Sequence, residues 1–149
     1  MTTRTFALVL GIVFLLVGIL GFVPAALTHP AVTEDPLRVQ TSEGYLLGLF
    51  HVNALHSAVH ILFGVMGIVM FRQWGTARLY CQIVAVAYAL FAIIGLIPVI
   101  DTVFGFVPLH GHDVWLHAII AIAAGYFGFL TAPQAADAIP HAGTTSSAS

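Results

Sequence analysis

Eight histidines stand in a chain of 149 residues that carries only four Lys+Arg and six Asp+Glu. They are the side chains best placed to do chemistry. Asn53, His56 and His60 recur at helical spacing in the segment FHVNALHSAVHILFGVMGI, 50–68. At 100° per residue these three share a stripe roughly 60° wide, and Gly64 and Gly67 continue it. His51 points roughly 140–180° away from His56 and His60 on the same geometry. Later, His117 follows Asp113 at helical spacing and is followed in turn by Ala121, Ala124, Gly125 and Gly128. Asn53, His56, His60, Asp113 and His117 thus form a candidate polar cluster between two helices. Each helix face is polar at one end and small at the other.

Several chemistries fit such residues. The plainest is interhelical hydrogen bonding, worth about 0.6 kcal/mol per bond inside a membrane. Desolvation disfavours the charged imidazole, so His56 and His60 are expected neutral. Haem b binding needs two axial histidines from different helices at matching depth. At 1.5 Å per residue His51 lies about 10 Å inside its apolar run, His56 about 18 Å, His60 about 24 Å and His117 about 5–9 Å. The haem candidates are therefore His51, His56 and His117, with His51 and His117 the best matched. A divalent metal has a second candidate set in His110, His112, Asp113 and His117, with His29 from an earlier loop, because nitrogen and oxygen ligands suit Zn or Cu(II). Protonation between about pH 5 and 7 would make the same histidines a pH sensor or part of a proton conduit. Catalysis finds little support: the apolar runs hold no paired carboxylate, and no Ser/His/Asp spacing or phosphate-cradling Gly-rich loop occurs. The one cysteine, Cys81, rules out an intramolecular disulfide framework and reads as a small hydrophobe.

The elements that position these residues follow from composition. The chain is 60% hydrophobic and 7% charged, with a mean hydropathy of +1.03, whereas a soluble domain averages about 25% charged residues. The expected solvent is a lipid bilayer. A formal net charge of -2 gives no electrostatic footprint for nucleic acid. Apolar runs at 6–27, 44–71, 79–100 and 112–130 approach or exceed the roughly 20 residues that cross a hydrocarbon core of about 30 Å. In lipid they must be helical. The predicted fold is all-α, a four-helix transmembrane bundle forming one domain over 1–130. Residues 131–149 are expected to be a disordered cytoplasmic tail. Arg4, Arg72 and Arg78 fall on one side of such a bundle and Arg38 alone on the other, so the positive-inside bias puts both termini in the cytoplasm. Glu34, Asp35, Glu43, Asp101 and Asp113 then lie outside. The first run has an alternative reading as a signal peptide cleaved near Val23-Pro24-Ala25, although it is longer than the usual apolar region of about 7–15 residues. Asp113 is the expected N-cap of the last helix. Tyr45 and Trp115 are expected as outer aromatic anchors, and Trp74 and Tyr80 as inner ones.

Small residues point to close helix contacts: Gly18 with Gly21, Gly64 with Gly67, and Ala121, Gly125 and Gly128. Such faces let backbones approach and gain dispersion contacts. They serve either packing inside the bundle or docking onto another chain. The favoured function is a non-enzymatic accessory or interaction subunit that docks through these faces onto a second copy or a larger membrane complex in the bacterial inner membrane. The alternative is a haem b- or metal-binding membrane redox protein using His51, His56, His60 and His117, and the third reading is the pH sensor or proton conduit.

The segments 50–68, LYCQIVAVAYALFAIIGLIP (79–98) and VPLHGHDVWLHAIIAIAAGYFGF (107–129) resemble a bacterial family of small four-span membrane proteins. That family is catalogued as a domain of unknown function and is frequent in actinobacteria and cyanobacteria. The resemblance rests on Val52, Asn53, His56, His60, Gly64, Gly67, Pro108, Asp113, Trp115, Leu116 and His117. Ser57, where the family often has a second Asn, departs from it, as does His110-Gly-His112, where an Asn-Gly-like turn is usual. The resemblance implies the four-span fold and makes Asn53, His56, His60, Asp113 and His117 a unit. It implies no activity, substrate or cofactor.

Overall fold

A computed structural model describes residues 1–29 and 37–133. Glu34, Asp35 and the tail beyond residue 133 lie outside the described residues. Most of the described chain is helical: α1 Thr3–Leu20, α2 Ala54–Met70, α3 Trp74–Gly95 and α4 His112–Gly125. A π-helical turn, Tyr126–Leu130, prolongs α4. Thr3–Leu20, Trp74–Gly95 and His112–Leu130 are long and apolar enough to cross a membrane, whereas α2 is a shorter apolar helix.

The all-α expectation needs correction. Residues 44–52 do not form the opening turns of a long second helix. They form two strands, β2 (Gly44–Leu46) and β3 (Phe50–Val52), and β1 (Leu27–Thr28) pairs with β2 to complete a small antiparallel sheet in the order β1-β2-β3. The hairpin turns at Leu47 and Gly48, whose φ angles are +53° and +73°. Two consecutive positive φ values give the turn the twist that suits paired strands. An apolar run of this length reads equally well as helix or strand from periodicity alone. Here Gly48 and the β-branched and aromatic residues Tyr45, Phe50 and Val52 favour the strand. The first apolar run also stops being helical at Leu20, and a 3-10 turn, Pro24–Ala26, leads into β1.

The helices pack as two close pairs, α1 on α2 and α3 on α4. Glycine makes the first contact possible. A Cβ at Gly64 would stand 2.5 Å from the Leu15 nitrogen, and one at Gly67 2.8 Å from the Gly11 Cα. A Cβ at Gly18 would meet Ile61 and the Ser57 carbonyl at 2.7 Å, and one at Gly21 would collide with the Ser57 hydroxyl. In the second pair, a Cβ at Gly128 would lie 2.9 Å from the Gln82 nitrogen, whereas at Gly125 the nearest atom, the Ala85 Cβ, is 3.9 Å away. Ala121 packs at the edge of the core. Between the pairs lies a core that includes Phe6, Phe14, Tyr80, Cys81, Val84 and Tyr88, with Phe14 stacked on Tyr88 at 5.0 Å. Tyr80 is fully buried there and is no interfacial anchor.

Arg78 sits inside α3, which starts at Trp74 and ends at Gly95 rather than running from 79 to 100. Its Nε donates to the Gly128 carbonyl at 2.9 Å, and its guanidinium lies 5.2 Å above the Trp74 ring. Both contacts accommodate the charge at a helix end. Arg4 Nε donates to the Phe71 carbonyl, and the Thr3 and Thr131 hydroxyls are 2.8 Å apart. The start of α1, the α2–α3 turn and the end of α4 therefore share one end of the bundle. The sheet and the segments 37–43 and 96–111 occupy the other.

Candidate metal centre

α2 starts where it does because Asn53 is its N-cap, with Oδ1 accepting the His56 backbone N–H at 2.9 Å. Its amide donates to the Phe106 carbonyl at 2.7 Å and to the Val39 carbonyl at 3.0 Å. Asn53 is thus not a member of the histidine stripe, as helical spacing suggested. It is a fully buried staple that joins α2 to the two segments covering its end. Extended backbone at an N-cap, φ -142°, explains the departure from helical phase.

The helix then presents His56 and His60 one turn apart, four residues along one face. Their Nε2 atoms face each other at 3.1 Å, and the rings are stacked with centroids 4.9 Å apart. From α4, His117 brings its ring to 6.2 Å from that of His56. Each of the three offers a ring nitrogen, and these nitrogens all lie within 4.8 Å of one another. All three side chains are buried, at 3%, 7% and 2% exposure. Each also buries an Nδ1 that has no hydrogen-bond partner. The Pro108 carbonyl faces the His56 ring.

The three rings open onto a cavity of about 120 Å³ completed by Val59, Tyr88, Phe91, Val103, Val107 and Leu109. Aromatic edges hold the imidazoles in place: Tyr88 meets His117 at 5.1 Å and Phe14 meets His60 at 5.4 Å, both T-shaped. The cover is a tight segment after α3. A Cβ at Gly95 would strike the Leu109 carbonyl, and Val103, which lines the cavity, adopts a φ of +48°. That is a genuine outlier for a β-branched residue.

A metal ion fits this donor set. Zn–N bonds of about 2.0–2.1 Å in a tetrahedron put neighbouring nitrogens about 3.3 Å apart. The 3.1 Å between His56 and His60 is close to that edge, and His117 brings a ring nitrogen within 4.8 Å of both. Three neutral imidazoles with room for a fourth ligand suit Zn, Cu, Fe or Ni rather than Mg or Ca.

The other expected ligands lie elsewhere. His51 sits on β3, stacked on Tyr45 at 4.8 Å, with its Nε2 3.4 Å from a Glu43 carboxylate oxygen and its ring edge against His110. It does not line the cavity. His29 meets the Glu43 carbonyl at 2.9 Å. His112 Nδ1 accepts the Trp115 indole N–H at 3.1 Å on the surface. Of the set His110, His112, Asp113 and His117, only His117 lines the cavity. Asp113 is buried in the first turn of α4, whose N-cap is Gly111 with φ +67°, not Asp113. At about 120 Å³ the cavity is smaller than the roughly 300 Å³ at which sites for organic ligands begin. His51, one of the expected axial ligands, is not among the residues that line it.

The polar cluster expected from spacing contains His56, His60 and His117, whereas the surface set His110, His112, Asp113 and His117 shares only His117 with the cavity. The signal that finds His56 and His60 is two histidines four apart on one helix, the spacing that binds zinc in helical metal motifs.

Comparison with curated proteins and with solved structures finds no significant match. A family match covers residues 4–130, and the chain belongs to the family described as Domain of unknown function (DUF4383).

Proposed function

We propose that this protein is a multi-pass protein of the bacterial inner membrane that holds one first-row transition-metal cation between α2 and α4, on His56, His60 and His117. The observation that carries the reading is the convergence of three buried imidazoles from two helices within 4.8 Å. A histidine kept only for interhelical hydrogen bonding has no need of two like neighbours in an apolar cavity. Coordination of a cation would draw on the facing Nε2 atoms of His56 and His60, which lie 3.1 Å apart, and would tie the ring from α4 to the pair on α2.

Membrane placement rests on the three helices able to cross one. The clustering of Arg4 and Arg78 contacts at one end of the bundle supports both termini inside, by the positive-inside bias. The metal centre then lies toward the outer leaflet. Docking through glycine faces onto a partner is less well supported, because Gly18, Gly21, Gly64, Gly67 and Gly128 all press against this chain's own helices.

The test is purification of the full chain in mild detergent on an affinity tag free of histidine, followed by equilibrium dialysis against Zn(II) or Co(II) and metal analysis. One cation per chain is expected. Alanine at His56, His60 or His117 should each lower affinity by at least 100-fold. A wild-type protein that takes up no metal, or variants that bind as well as it does, would overturn the reading.

A further inference from the structure

A divalent cation on three neutral imidazoles leaves its whole charge in an apolar cavity, and uncompensated charge at such depth is costly. Resting on the three-histidine reading, we propose that Asp113 is the positioning residue of that centre: its carboxylate accepts the Nδ1–H of His117 and sets negative charge beside the cation.

Two independent orphans meet in this pairing. Asp113 is 3% exposed and His117 2% exposed. Asp113 Oδ2 and His117 Nδ1 are both buried without a hydrogen-bond partner. They belong to one helix, α4, four residues apart. At that spacing Cβ atoms are about 5–6 Å apart. Helical side chains lean toward the N-terminus, which is the direction of Asp113 from His117. A carboxylate and an imidazole one helical turn apart are within bonding reach of each other through side-chain rotation. Asp113 is also out of place as a capping residue. Gly111 holds the cap position, and a carboxylate kept for the helix N-terminus alone has no reason to bury an unused oxygen.

The pairing decides which nitrogen of His117 meets the metal. With Nδ1–H donated to Asp113, Nε2 is left as the ligand atom, and the ring cannot turn away. Partners of this kind orient metal-binding histidines, raise their basicity, and typically contribute 10–100-fold in metal affinity.

The experiment compares the detergent-purified full chain with Asp113→Asn and Asp113→Glu, using Zn(II) as the probe. Each is titrated with Zn(II), and the imidazole N–H protons of the loaded protein are followed by NMR. Asp113→Asn should keep one site per chain, bind Zn(II) 10–100-fold more weakly, and move the His117 Nδ1 proton upfield. Asp113→Glu should bind more tightly than Asp113→Asn, because it retains the carboxylate. Wild-type affinity in Asp113→Asn would overturn the role of Asp113 while leaving the three-histidine site standing. Weaker binding with an unmoved His117 proton would also overturn it, since a merely structural role weakens the site without touching that bond. A wild-type chain that binds no Zn(II) would remove both.

Discussion

The Asn53 amide donates to the Phe106 carbonyl at 2.7 Å, and this bond spans more than fifty residues of chain to seat the cover of the histidine cavity on the start of α2. The same side chain caps α2 and holds the Val39 carbonyl.

Removing that side chain should therefore destabilise more than an ordinary cap loss. Asn53→Ala forfeits the cap, worth about 0.5–2 kcal/mol, and leaves two buried carbonyls each short of a donor, at about 1–3 kcal/mol apiece. A total of about 2.5–8 kcal/mol is expected from thermal or denaturant unfolding in detergent. Asn53→Asp should recover only the cap, because a carboxylate cannot donate to either carbonyl.

Two glycines make a paired test of helix packing. Gly64→Ala puts a methyl 2.5 Å from the Leu15 nitrogen, so α1 must retreat, and a loss of about 1–3 kcal/mol is expected. At Gly125 the nearest atom is 3.9 Å away. Gly125→Ala should be neutral or stabilising by up to about 1 kcal/mol, since alanine is the better helix former. The difference in unfolding midpoint between the two variants is the measurement.

Metal stoichiometry should ignore the histidines of the sheet end. His51→Ala and His112→Ala are expected to keep one Zn(II) per chain by metal analysis, because neither ring lines the cavity. Titration with haemin should give no bis-histidine spectrum. A Soret shift that disappears in His117→Ala would revive the macrocycle reading.

The hairpin turn is a further check on the sheet. Gly48 has φ +73° and Leu47 φ +53°. Gly48→Val forces a β-branched residue into the left-handed region, at a cost of about 1–2 kcal/mol. Leu47→Asn should raise the unfolding midpoint instead, since asparagine visits that region readily and the Leu47 side chain is 68% exposed. Had residues 44–52 been helical, Gly48→Val would cost little and Leu47→Asn would not help.

Amino-acid composition alone determined that this chain suits lipid, and the placement of its apolar runs located the helices to within a few turns. Pattern also brought His56, His60 and His117 into one group, since a polar residue amid apolar ones on a helix must turn toward protein. Tertiary structure decided the rest. Periodicity cannot tell a short apolar strand from a helix, so the hairpin at 44–52 was hidden, and with it the removal of His51 from the cavity. Asn53 looked like a stripe member because capping changes the backbone angle without changing the spacing in sequence. Asp113 looked like a cap because its type and position allow one, and only the fold shows Gly111 in that place and the carboxylate buried. Which ring nitrogens converge depends on how α2 and α4 cross, and that is set by contacts between residues far apart in the chain, where local sequence exerts no control.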